Sequence, residues 1–267
     1  MGRFAVQKVL TTKVLVALLV GSAAAQVSRD WMVCTGKLPA AQPDESVAAC
    51  TAIIEAGTET PTNLAVAYCS RGVAHHARDR LDRALLDYQE AVRIAPQSPT
   101  SYLCRAYANL ARGAFEEAIA DFNEAIARQP QSSSAFIGRG RAHRAKGELA
   151  RAIADYDEAL RLDPNNAVIF LNRGAAMNYL QNYSRAIEDL DQAIRFNPSF
   201  SEAFVNRGLA YAHQQQHERA IADFSEAIRL DPRNAAAYHN RGVAYSKMAE
   251  RARAKADLDQ AKILTGR

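Results

Sequence analysis

Residues 167–200 read AVIFLNRGAAMNYLQNYSRAIEDLDQAIRFNPSF, and this stretch decides the fold. Phe170, Gly174 and Met177 recur at i, i+4 and i+7, the spacing of one face of a first helix. Gly174 weakens that helix by roughly 1 kcal/mol against Ala, so its presence argues for a second helix packed too closely for a side chain. Arg185 to Phe196 predicts that second helix, with Ala186, Ile187, Leu190, Ala193 and Ile194 on its apolar stripe. Asn197-Pro198 ends it, because proline disfavours helical backbone in the residue before it.

Outward from this stretch the same word returns every 34 residues. The small residue recurs as Gly72, Ala106, Gly140, Gly174, Gly208 and Gly242. An aromatic stands four positions ahead of each: Tyr68, Tyr102, Phe136, Phe170, Phe204 and Tyr238. Alanines follow in step, from Ala84 to Ala254 and from Ala91 to Ala261, and Pro96, Pro130, Pro164, Pro198 and Pro232 close five copies. Strand-type alternation is missing from the whole pattern.

A 34-residue period with this set of small residues, aromatics and prolines resembles the tetratricopeptide repeat (TPR). The resemblance runs from Ala65 to Arg267 without an insertion. It implies an all-α, right-handed superhelical solenoid of about six helix-turn-helix repeats, at 65–98, 99–132, 133–166, 167–200, 201–234 and 235–267. One such pair cannot bury its own apolar face, so the array needs ends. Residues 26–64 are expected to form an N-terminal cap, with a helix from an Asp44 N-cap to a Gly57 C-cap. At the far end Lys255 and Lys262 stand where earlier second helices carry Leu, Ile or Val. Two unpaired ammonium groups buried there would cost several kcal/mol each.

Residues 1–25 read as a secretory signal peptide: Arg3, Lys8 and Lys13 precede the short apolar run Val14–Val20, and Ala23-Ala24-Ala25 offers a cleavage site. An uncleaved anchor is the alternative, but the run is shorter than the roughly 20 residues a membrane span requires. Export points to a periplasmic location in a Gram-negative bacterium, without stable membrane insertion after cleavage. Removing the leader takes three of 33 basic residues and no acidic ones, so the formal charge falls from +4 to about +1. That balance gives no reason to expect nucleic acid. Cys34 and Cys50 close a short loop in the exported cap and are expected to pair. Cys69 and Cys104 lie on first helices of adjacent repeats, which pack about 8–10 Å apart. Two buried thiols are expected there, because a disulfide needs Cα atoms within about 7 Å.

Two polar ladders share the register. Arg71, Arg105, Arg139, Arg173, Arg207 and Arg241 precede the small residue of each first helix, and Asp87, Asp121, Asp155, Asp189, Asp223 and Asp257 recur on the second helices. Matched acids in every repeat point to structural ion pairs, within or between repeats, rather than to an anion-binding track. The second ladder is Asn172, Asn206 and Asn240, with Ser70, Cys104 and Gly138 at the earlier positions. In the TPR superhelix of the O-GlcNAc-adding glycosyltransferase, asparagines at this position hold a bound peptide's backbone. The resemblance therefore implies a groove role, and capping of local backbone is the equal alternative. The same register places His76, Tyr107, Arg141, Arg144, Asn178, Tyr179, His213, His239 and Lys247 toward the groove.

Chemistry is thinly represented. His213 and His217 lack a zincin's intervening glutamate, so no metal site is expected, and no residues call for a cofactor. The expectation is a non-catalytic scaffold or adaptor that binds a protein or peptide partner in its concave groove, serving cell-envelope assembly. A structural homo-oligomer is the alternative, and an enzyme has no residues to carry it.

Overall fold

Why helices form here is visible in each pair: apolar residues recur at helical spacing, and the turns between them carry the breakers. The computed structural model describes residues 29–38 and 42–266. The expected leader at 1–25 lies outside the described residues, as does Pro39 of the cap. All regular elements among the described residues are helical. Residues 29–34 form a short helix, followed by α1 (Pro43–Ala56). Six helix pairs succeed it: α2 (Pro61–His76) with α3 (Leu81–Ile94), α4 (Pro99–Ala111) with α5 (Phe115–Arg128), α6 (Ser133–Ala145) with α7 (Leu149–Leu162), α8 (Ala167–Tyr179) with α9 (Tyr183–Phe196), α10 (Ser201–His213) with α11 (His217–Leu230), and α12 (Ala235–Lys247) with α13 (Arg251–Thr265). None of these helices is long and apolar enough to cross a membrane.

The chain divides into two units, one through Gln129 and one from Pro130 onward. In the first, α1 packs on α2, and both α2 and α3 pack on α4. In the second, each pair packs on the next through α7–α8, α9–α10 and α11–α12, and the first helices also touch one another. The cores are built from the repeat's own alphabet: Ala186, Leu190 and Ala193 of α9 are fully buried beside Leu171 and Met177 of α8.

The glycine register answers to a steric limit. A Cβ on Gly208 would lie 2.7 Å from the Phe224 ring, and one on Gly72 would lie 2.4 Å from the Tyr88 ring. Both rings are buried in the core, so they have little room to retreat. Repeat two carries Ala106 at this position, opposite Phe122, whose other side meets Tyr107 edge-on at 5.1 Å.

Each ladder arginine pairs within its own repeat. Nε and Nη2 donate to the two carboxylate oxygens of the aspartate sixteen residues on, at 2.6–3.2 Å. The guanidinium also lies over the aromatic three residues earlier, 5.3–5.9 Å from the ring centre. In the second unit Nη1 then reaches back to the preceding second helix: Arg173 to Asp157 and Arg207 to Asp191, both at 2.6 Å, and Arg241 to Ser225 at 3.0 Å. One side chain thus ties three elements. The hydrogen bond to Asp223 raises Arg207 above the ordinary guanidinium value, while burial raises Asp223 above the ordinary carboxylate value.

The cap departs from expectation at its start. The N-cap is Gln42 and not Asp44, and Gln42 and Glu45 complete a reciprocal capping box. Pro43 explains the shift, since its fixed φ suits the first helical position. Asp44 instead sits in the first turn and pairs with Arg78 at 2.7 Å. Gly57 closes the helix in the left-handed region, as expected. The Cys34–Cys50 disulfide joins the residues before and within α1, and Trp31 donates to Glu59 at 3.0 Å. The next helix starts at Pro61, ahead of Ala65, because Thr60 caps it by accepting from the Asn63 backbone. At the other end Lys255 and Lys262 are exposed, and Lys255 pairs with Asp259 at 2.7 Å.

The turn inside each pair holds one left-handed residue, again every 34 positions: Asp79, Gly113, Gly147, Gln181, Gln215 and Ala249. Only two are glycine. Around the turn of α6 and α7, Glu148 accepts from His143 Nδ1 at 2.7 Å, Lys146 Nζ at 3.1 Å and Arg151 Nη1 at 3.2 Å. The His143 bond first, then that from Lys146, holds its carboxyl down at about 2.

Three outcomes are expected. Gly208→Val should lower stability by about 1–3 kcal/mol through overpacking, read as an earlier urea midpoint. Ala249→Gly should raise stability by about 1 kcal/mol by relieving a left-handed alanine, read as a later one. Glu148 has a folded value below its unfolded one, so its contribution is present above the unfolded value and disappears as pH falls toward 2. Thermal midpoints measured across that window should therefore fall less in Glu148→Gln than in the parent chain.

Candidate functional site

In the second unit the first helices α8, α10 and α12 line two neighbouring cavities that share wall residues. One, of about 230 Å3, is bounded by Asn178, Tyr179, Asn206, Leu209 and His213. The other, of about 330 Å3, shares Leu209 and His213 and continues past His239, Asn240, Val243 and Lys247. Seven of the twelve residues expected in the groove are thereby brought together: Asn178, Tyr179, Asn206, His213, His239, Asn240 and Lys247. Leu209 and Val243 give the groove an apolar floor that the sequence reading missed, and their spacing from Gly208 and Gly242 could have disclosed it.

The polar groups along this wall are individually fixed. Asn178 Nδ2 donates to the Asn206 backbone carbonyl at 2.9 Å, bridging α8 and α10, while its Oδ1 is buried without a hydrogen-bond partner. Asn206 Nδ2 donates to the Glu202 carbonyl one turn back at 2.8 Å. His213 stacks flat on Tyr183, ring centres 4.8 Å apart. Tyr179 is 69% exposed, an aromatic face offered to solvent. No carboxylate lines either cavity among the described residues, so Lys247 and the histidines give the wall a basic tilt.

Five expected residues lie elsewhere. Asn172 is buried, and its Nδ2 donates to the Val168 carbonyl at 2.7 Å, so its amide serves its own helix. The competing reading, local backbone capping, thus holds for Asn172 outright and for the donor half of Asn206. Arg141 and Arg144 on α6 line neither cavity. They lie near the buried Tyr156, whose phenol is raised by burial with both arginines opposing. Of the first-unit residues, His76 is half-buried and Tyr107 is turned onto Phe122. The ladder stays out of the groove: Arg173 and Asp189 line a separate cavity of about 320 Å3 with Asp157.

The first unit presents different chemistry at the same register. A pocket of about 420 Å3 opens between residues 34–36 and α1 on one side and α2 and α4 on the other. Ser70 and Cys104, the counterparts of Asn206, line it together with Cys69, Val66 and Val73. Both cysteines are free, as expected, but Cys104 is half-buried where burial was expected. No single motif announces this pocket, because three distant segments build it.

The fold has solved counterparts. A tetratricopeptide repeat protein from Parabacteroides merdae ATCC 43184 matches with a TM-score of 0.71 at 19% identity, covering 91% of this chain and 93% of its own. A thermophilic TPR protein of Thermus thermophilus matches at 0.56 and 23% identity, over 70% of this chain and 97% of its own. YrrB, described as a TPR protein with an unusual peptide-binding site, matches at 0.52 and 24% identity, over 66% of this chain and 91% of its own. These likenesses establish the architecture alone. No curated protein matches the chain. Family models described as tetratricopeptide repeat or TPR repeat match residues 40–99, 140–179, 176–215, 211–248 and 235–262. Those spans cover more than half of the sequence, and the chain belongs to the tetratricopeptide repeat family.

Proposed function

We propose that this protein is a non-catalytic scaffold or adaptor that grips an extended segment of another protein along the inner wall of α8, α10 and α12. One observation carries the reading: two neighbouring cavities there combine an apolar floor at Leu209 and Val243 with amides at Asn178, Asn206 and Asn240. An extended guest needs both donors and acceptors for its backbone, and an amide offers both. Asn178 Oδ1 is buried without a partner, an acceptor suited to a guest N–H. Tyr179 is the exposed aromatic anchor. The absence of carboxylates among the described lining residues favours a guest of acidic character. YrrB's description as a peptide-binding TPR protein is consistent with this use of the fold.

The leader motif at residues 1–25 and the Cys34–Cys50 bridge support an exported, periplasmic setting, where the guest belongs to envelope assembly. The homo-oligomer alternative finds no comparable support, since α13 turns Lys255 and Lys262 to solvent.

The test uses the chain lacking residues 1–25, an array of unstructured peptides graded from acidic to basic, and capture from an envelope fraction. Asn206→Ala/Asn240→Ala should weaken capture of acidic peptides at least about tenfold, at about 1 kcal/mol per lost hydrogen bond, with an unchanged helical circular dichroism spectrum. Equal capture by the folded variant, or a preference for basic peptides, would overturn the reading.

A further inference from the structure

Outside the groove, the free cysteines form a second constellation. Cys69 on α2 and Cys104 on α4 belong to different repeats, yet Cys104 packs against the buried cluster that holds Cys69. Both line the pocket of about 420 Å3, whose rim residues Val66 and Val73 are 37% and 57% exposed. Cys69 is buried at 6% exposure, whereas Cys104 is half-buried. A pocket wall shared across two directly packed helices brings the two thiols together, which helix spacing alone did not promise.

We propose that Cys69 and Cys104 are a dithiol exchange site, at which a small disulfide entering the pocket is reduced while the two cysteines become joined. In the first step the Cys104 thiolate attacks one sulfur of the guest RSSR, forming a Cys104–SR mixed disulfide and expelling RS⁻. The RS⁻ takes the Cys69 proton. The Cys69 thiolate then attacks Cys104 Sγ, breaking the mixed disulfide and expelling the second RS⁻, which picks up the proton Cys104 gave up. Two thiols and one RSSR become two RSH and one protein disulfide, with no other oxidant needed.

The environment assigns the two roles. Cys104 meets the incoming disulfide because it is the less buried residue of the two, and the neighbouring Cys69 thiol draws its own thiol below the ordinary value. That same contact, with burial, pushes Cys69 up, so Cys69 stays protonated until the mixed disulfide has formed. The pocket is lined mainly by apolar groups, and no group of three His, Cys, Asp or Glu residues is assembled among the described residues to hold a metal ion instead. The Cys34–Cys50 bridge borders the same pocket through Cys34, and both of its residues are buried, Cys50 wholly.

The test incubates the folded full chain with cystamine and maps disulfides by peptide mass. Wild type should lose both free thiols together, release two thiol equivalents and yield a Cys69–Cys104 linked peptide, with Cys34–Cys50 intact. Cys69→Ser should stall as a mixed disulfide at Cys104, and Cys104→Ser should slow the reaction of Cys69 at least about tenfold. Persistence of both free thiols in the folded wild type would overturn the proposal. So would a Cys104→Ser variant that reacts at the parental rate, or a mixed disulfide on wild type that never resolves.

Discussion

Everything in the stack depends on how closely two helices of a pair approach. At Gly208 and Gly72 there is no room for one more carbon between the first helix and the ring behind it. That contact sets the depth at which the second helix sits. Depth in turn decides whether the arginine next to the glycine reaches the aspartate sixteen residues on, because a bidentate pair tolerates little displacement. The same arginine then touches the preceding second helix, as Arg207 touches Asp191. Steric closeness within a pair is thus converted into registration between pairs. The pairs are partly buried, so their value lies in fixing geometry, and burial alone offsets much of their attraction.

Because the core is so uniform, function has to be written on what the core leaves over. The inner wall of the second unit uses the position ahead of each ladder arginine, and there the sequence is free to vary without disturbing packing. Asparagine at 206 and 240 lines a groove, while cysteine at 104 lines a thiol pocket. Two unlike surfaces come from one backbone template.

Much of this was legible in the chain, for reasons that can be named. The glycines at 72, 140, 174, 208 and 242 stood out because each breaks helix propensity at a fixed phase, and the lysines at 255 and 262 because they interrupt an apolar series. Cys34 and Cys50 were legible as a pair because the loop between them is short. Other features had no such signature. Asn172 carries the same letter as Asn206 and Asn240, yet it is withdrawn into its own helix by a carbonyl one turn back, a choice made by local burial. The left-handed turn position is filled by Asp79, Gln181, Gln215 and Ala249, residue types that do not advertise that conformation, so the shared geometry was hidden. The thiol pocket joins segments near residues 35, 70 and 104, and only tertiary packing brings them together.

The bond from Asn178 to the main chain of Asn206 has a mechanical consequence. It pins the Asn178 side chain between α8 and α10, so a guest N–H that reaches Oδ1 meets an acceptor already held in place. The clasp thereby lowers the ordering entropy that a guest gripping this acceptor would have to give up.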